Sequence, residues 1–185
     1  VDAEDRKLVQ EAQGGVRAAF GSLVDRYRGR VYALAISIMG DHESALRLTK
    51  ETFIRAHREL KRLEKPERFP AWIARLAYQV GRELRHDRLE DSESELANDR
   101  SEGATIATPF DKGEAERALL EALLSALPER VRVALDLRFR EGLTYAEIAE
   151  TLDLKPTDVR ALLERGTRKL RTKLRPYLKR RGGAA

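Results

Sequence analysis

Apolar residues recur at steps of three and four along almost the whole chain, and no stretch alternates apolar with polar as a half-buried strand would. This periodicity predicts an all-α fold. A first helix is expected over residues 3–12, stopped at Gly14-Gly15. A second runs from about Val16 to Met39, with Phe20, Leu23, Val24, Tyr27, Val31, Leu34, Ala35 and Ile38 on one stripe. Gly40 ends it, and Asp41 is placed to cap a third helix over about residues 42–63. Lys65-Pro66-Glu67 breaks the pattern. A fourth helix then points Phe69, Trp72, Ile73, Leu76, Ala77, Val80 and Leu84 inward. These four make one helical core.

The composition changes from Leu89 to about Lys112. Glu90, Asp91, Glu93, Glu95, Asp99 and Glu102 face only Arg88 and Arg100 nearby, with Ser, Gly, Thr and Pro between them. Such a stretch has too little apolar surface to offset chain entropy and reads as a flexible acidic linker. Its charge opposes a basic stretch further on, so transient masking of that stretch is a second reading beside a plain tether. Helical spacing returns over about residues 112–126, with Leu119, Leu120, Leu123, Leu124 and Leu127 as the stripe. After Pro128, residues 129–141 carry Val131, Ala134, Leu135 and Phe139, and Gly142 ends them. The expected organisation is two helical domains, residues 1–88 and 113–181, joined by the linker at 89–112.

Residues 143–170 fit a helix-turn-helix nearly position by position. Thr144 caps a short helix with Ile148, Ala149 and Leu152 on one face. Asp153-Leu154-Lys155 interrupts it, and Asp153 stands where a left-handed residue is needed, a conformation Asp tolerates better than most. Pro156 suits the first turn of the next helix, and Val159, Leu162, Leu163 and Leu170 resume the apolar spacing. In a DNA-binding hairpin of this kind the second helix enters the major groove, so residues 155–168 are the first place to look for function. A plain helical pair in a bundle is the structural alternative.

Charge sharpens this picture. The chain carries a formal +5 with a pI near 9.6, and between Lys155 and Arg181 eleven Lys or Arg stand against only Asp158 and Glu164. That excess suits a polyanion and predicts salt-dependent binding. Other chemistry is thinly represented. There is no cysteine, and His42, His57 and His86 are scattered without a second ligand at metal spacing, so neither metal nor cofactor is expected. No nucleophile–base pair, phosphate-binding glycine loop or carboxylate dyad stands at recognisable spacing, so an enzyme is not expected. No apolar run is long enough to span a bilayer and no signal-peptide pattern opens the chain, which leads to the expectation of a cytoplasmic protein without membrane insertion.

Taken together the segments resemble a bacterial RNA polymerase sigma factor of the extracytoplasmic-function group. AAFGSLVDRYRGRVYALAISIMGD is similar to the opening of conserved region 2, LTKETFIRAHREL to its polymerase-binding helix and FPAWIARLAYQV to its promoter-melting segment. ALPERVRVALDLRFREGLTYAEIAETLDL resembles region 4. The resemblance implies a subunit of RNA polymerase that docks on the beta-prime clamp helices with its front domain and on the beta flap with its back domain. Its other partner is promoter DNA. The reading helix would supply Lys155, Thr157, Arg160, Ala161, Glu164, Arg165 and Arg168. Arg160 would reach a guanine edge or a phosphate, while Arg165 and Arg168 would track the backbone. In the promoter-melting segment Trp72, Arg75, Gln79 and Arg82 are the implied contacts, although a Trp at core spacing also serves as packing.

The departures from the family pattern are specific. The polymerase-binding helix in the family carries Asp-Ala-Glu-Asp-Leu-x-Gln-Glu. Here the run is Ser44-Ala45-Leu46-Arg47-Leu48-Thr49-Lys50-Glu51. Arg47 and Lys50 would meet a basic beta-prime surface as like charges, and Glu51 alone keeps the expected sign. Phosphorylation of Ser44, Thr49 or Thr52 by a Ser/Thr kinase would restore negative charge. A co-adapted polymerase or weak intrinsic docking accounts for the same substitutions. Gln79 replaces the usual Asn, and Ala161, Leu162 and Glu164 replace the usual Ser, Arg and aromatic or His, which implies an unusual upstream element. Two functions of different class therefore stand: an initiation factor, switched on through its polymerase-binding helix, and a sigma-like decoy that occupies an anti-sigma factor without initiating transcription.

Overall fold

A computed structural model describes residues 3–94, 122–124 and 126–182, and every regular element among them is helical. In chain order these are α1 (Ala3–Gln13), α2 (Arg17–Met39), α3 (His42–Glu59), α4 (Phe69–Ser94), α5 (Glu129–Phe139), α6 (Tyr145–Leu152) and α7 (Pro156–Gly182). Short 3-10 turns at Leu60–Arg62 and Pro66–Arg68 connect α3 to α4. The third helix therefore stops before residue 63. Leu89–Ser94, expected to open the linker, instead continue α4. The remainder of the expected linker and most of the helix expected at 112–126 lie outside the described residues.

Local chemistry sets the helix ends. Gly40 takes φ 86° and its N–H donates to Ile36 O, closing α2 in a left-handed turn that a side chain would resist. Asp41 then caps α3 by accepting from the Ser44 amide at 2.8 Å. Thr144 and Glu147 form a reciprocal capping box at the start of α6, satisfying two otherwise orphaned N–H groups. Asp153 ends α6 at φ 55°, ψ 56°, and it is the non-glycine residue with positive φ among those described.

α2 is the spine of the front half. It buries Leu23, Tyr27, Val31, Leu34, Ala35 and Ile38 against α3, α4 and, at its start, α1. Asp5 of α1 is buried and accepts from Tyr27 Oη at 2.7 Å and Arg26 Nη1 at 2.6 Å, pinning α1 to the spine. Burial and that hydrogen bond push the Tyr27 phenol far above its ordinary range. Gly81 lets α4 approach α2 and α3 closely, because a Cβ there would lie 2.6 Å from Ile38 Cγ2 and 2.9 Å from Leu48 Cδ1. Arg55 of α3 forks onto Glu83 of α4 at 2.8 and 2.7 Å, closing the same layer at the surface.

In the back half α5 packs on α6 and α7. Gly166 plays the role of Gly81 here: a Cβ on it would stand 2.6 Å from Val131 Cγ1 of α5. Phe139, expected inside, is 70% exposed. α5 has α2 on one side and α6 with α7 on the other, so Val133 through Leu137 are buried in succession. Phe139 lies at the helix end, past that enclosure. The buried side chains of both halves form one continuous apolar cluster. Two domains on a flexible tether do not anticipate this packing of α5 and α6 on α2 and α4.

Candidate functional site

The α7 surface divides cleanly. Val159, Leu163 and Gly166 are buried, whereas Thr157, Arg160, Ala161, Glu164, Arg165 and Arg168 are all exposed, as are Lys155 just before the helix and Lys169, Arg171, Lys173 and Arg175 further along. α6 crosses beneath with Ile148, Ala149 and Leu152 buried, and the left-handed Asp153 turns the chain between the helices. This is the geometry that presents the second helix of a hairpin to a duplex groove. Arg160 Nε donates to Glu164 Oε1 at 3.1 Å on the exposed face, so Glu164 offsets the cation expected to read a base. Arg165 turns back along its helix, its Nε 3.3 Å from Ala161 O.

In the front half Trp72, Arg75, Gln79 and Arg82 fall on one stripe of α4. Gln79 and Arg82 are exposed. Trp72 is half-buried with its ring tilted 40° against Phe69 at 5.7 Å, so it serves partly as packing. Arg75 is committed: its Nη1 donates to Glu150 Oε1 of α6. α3 presents Leu46 (50% exposed), Arg47 and Lys50 to solvent, with Glu51 half-buried. Beside them an open groove of about 500 Å³ has Phe20, Val24, Phe53 and Ile54 as its floor and Lys50 and Arg58 on its rim. His57 packs edge-on to Phe20 at 4.9 Å in the same groove. The three hydroxyls of α3 differ in access. Ser44 and Thr49 are half-buried, and Thr49 donates to Ala45 O at 2.7 Å. Thr52 is fully buried, its hydroxyl given to Leu48 O at 2.8 Å, so no kinase reaches it in this fold.

Residues 23–88 match the sigma-70 region 2 family model and residues 117–170 the sigma-70 region 4 model. The ECF RNA polymerase sigma-E factor of Escherichia coli K12 is 30% identical over 188 residues, covering 95% of this chain and 97% of the relative. This chain belongs to the sigma-70 family, in its extracytoplasmic-function group. The RNA polymerase sigma-H factor of Pseudomonas aeruginosa is 29% identical over 187 residues, covering 95% of this chain and 96% of its own length. The fold is shared with CnrH, solved in complex with the cytosolic domain of CnrY, at TM-score 0.66 and 24% identity over 94% of this chain and 98% of that one. As a sigma factor the chain is a transcription initiation factor with a helix-turn-helix in region 4, and no helix among its described residues is long and apolar enough to cross a membrane.

What the sequence did not disclose is the seam between the two regions of this sigma factor. Arg75 and Arg68 converge on Glu150, the latter with Nη2 at 3.5 Å from Oε2. Arg30 of α2 reaches Glu141 at 2.7 Å, and Glu141 Oε1 is buried without a hydrogen-bond partner among the described residues. Ser37 Oγ donates to Asp136 Oδ2 at 3.1 Å while Arg132 Nε donates to Ser37 O at 2.6 Å. Arg85 pairs with Glu129. Burial holds the Asp136 carboxyl above its ordinary range, partly opposed by Arg140 and the Ser37 hydrogen bond. Ser37 and Asp136 stand 99 positions apart, and Arg75 and Glu150 stand 75 apart, so no local pattern pairs them.

Proposed function

We propose that this chain binds core RNA polymerase and directs it to promoters. In this reading residues 1–88 dock on the beta-prime clamp helices and hold the single-stranded upstream edge of the bubble. Residues 113–181 grip the beta flap and read the more distant promoter element, residues 89–112 link the two, and the protein works in the cytoplasm. The observation that carries the reading is the α7 face: Thr157, Arg160, Ala161, Glu164, Arg165 and Arg168 are exposed, on the side away from Val159, Leu163 and Gly166, and Lys155 is exposed just before the helix. A duplex reader needs that separation, because phosphate contacts set register and only unburied side chains reach base edges.

The docking helix adds a control step. Arg47 is exposed where the family carries Asp and Lys50 where it carries Gln, so a basic clamp surface is met by like charge. Phosphorylation of Ser44 or Thr49 would bring roughly −1.5 to −2 of charge onto this helix and reverse its sign. Ser44 lies in the first turn of α3, where the helix dipole favours an anion, and shares a face with Arg47 one turn on. The buried hydroxyl of Thr52 drops out of the set.

Run-off transcription with core polymerase tests the main reading, and a pull-down on core polymerase before and after phosphatase treatment tests the switch. Ser44→Asp or Thr49→Asp is expected to strengthen core binding. No gain at either position removes the switch and leaves the initiation reading standing. The exposed Arg47 and Lys50 also favour a second reading, a decoy that engages an anti-sigma factor. That reading requires the chain to bind such a factor and to yield no run-off transcript in any modification state.

A further inference from the structure

We infer that Glu150 is an internal stand-in for DNA phosphate, holding region 4 against region 2 and keeping the promoter strand off Arg75 until the seam opens. The inference rests on the promoter-binding reading above. A cleft of about 90 Å³ lies between α4 and α6, lined by Arg68, Trp72 and Arg75 on one side and by Glu147, Glu150 and Thr151 on the other. Two guanidinium groups converging on one site beside an aromatic ring are what a nucleotide asks for: charged forks for the phosphodiester, a flat apolar face for the base. In this structure one carboxylate occupies that place, with Oε1 bonded to Arg75 and Oε2 within 3.5 Å of Arg68.

The charge distribution over the hairpin makes the arrangement directional. α6 carries Glu147 and Glu150 and neither Lys nor Arg, and it is α6 that faces the front half. The hairpin's own cations Arg160, Arg165, Arg168, Lys169, Arg171, Lys173 and Arg175 are on α7, exposed. One helix of the motif thus mimics nucleic acid toward region 2 while the other remains competent to bind it. Side chains of Arg68, Arg75 and Glu150 are 48%, 44% and 47% exposed, so solvent screens the contact and a polyanion making several phosphate contacts can displace it. A fully buried pair would resist such displacement, whereas this contact is open to it.

Trp72 is the single tryptophan of the chain, so its fluorescence reports on this cleft without labelling. The test uses the full-length protein and a fluorescent single-stranded oligonucleotide at low salt, with affinity read by anisotropy and Trp72 access read by acrylamide quenching. Glu150→Gln is expected to bind the oligonucleotide about two- to five-fold tighter than the wild type, the range that screened pairs support. Trp72 should become more quenchable, and the gain should vanish when Arg75→Ala is added. Asp25→Asn removes an equal charge from an exposed position on α2 outside the cleft and should give a smaller gain. Glu150→Lys, with circular dichroism to confirm folding, should raise quenching further. The inference is overturned if Glu150→Gln binds no tighter than wild type, gains only as much as Asp25→Asn, or keeps its gain without Arg75. Run-off transcription by the wild type separates the two failures: transcript with no Glu150 effect sinks the stand-in alone, whereas absence of transcript sinks the promoter reading beneath it.

Discussion

Gly81 offers the sharpest test of how region 2 is packed. A Cβ at this position meets Ile38 Cγ2 at 2.6 Å and Leu48 Cδ1 at 2.9 Å, where ordinary carbon contacts begin near 3.5 Å. Neither wall can retreat easily. Ile38 is 2% exposed and stiff at its β-branch, and Leu48 is fully buried. Overpacking a tight core costs about 1–3 kcal/mol, and two simultaneous clashes against branched, enclosed side chains place Gly81→Ala in the upper half of that range. The better helix propensity of Ala returns about 1 kcal/mol, leaving a net loss of about 1–2 kcal/mol. For a chain of this length that lowers Tm by about 2–8 °C. Gly21 and Gly29 on α2 supply the internal contrast, since a Cβ on either meets nothing within 4 Å. The same substitution there should stabilise by up to about 1 kcal/mol. Thermal and urea unfolding of the three variants decides the matter. If Gly81→Ala is as stable as Gly29→Ala, α4 does not approach α2 and α3 as described and the packing argument is wrong.

Asp5→Ala leaves the buried Tyr27 hydroxyl without its acceptor and removes one of the two carboxylates that hold Arg26, and should cost about 1–3 kcal/mol, visible as a lower urea midpoint with unchanged slope. Asp136 has its folded pKa above the unfolded value, so its contribution is most favourable below the ordinary carboxylate pKa and is lost as pH rises through the folded one. The stability of Asp136→Asn relative to wild type should therefore be highest near neutrality and fall as the solution is acidified through that window; a pH-independent difference refutes the assignment. On α7, Arg165→Ala and Arg168→Ala should weaken duplex binding equally for all sequences and reduce the salt slope by about one unit each, while Arg160→Ala should relax preference at one base pair. A sequence-dependent loss at Arg168 would reverse these roles.

Helix content and the capped helix ends were legible because their causes are local, whereas the C-terminal ends of α3 and α4, which carry no such cap, were misplaced. The i, i+3, i+4 stripes, the cap at Asp41, the left-handed Asp153 and the division of α7 between Val159 and its exposed neighbours are set by residues within a turn or two of one another. Phe139 shows where that reasoning stops. Apolar character and helical spacing placed it inside, yet burial along α5 depends on which neighbours enclose it, and α5 is enclosed on two sides only as far as Leu137. Thr52 shows the converse, a hydroxyl near the apolar stripe that packing removed from reach.

The amino-acid order alone determined an all-helical chain, a hairpin with a cationic second helix and a docking helix whose charge departs from its family. Tertiary structure decided which of those residues are accessible. Arg75 looks free along the sequence and is held by Glu150 in space, and Asp136 looks like a surface carboxylate and is desolvated between α2 and α5. The physical reason is distance. Periodicity and capping act over a few residues, whereas desolvation and ion pairing act between whichever groups the chain's return brings within a few ångströms, and nothing local encodes that meeting.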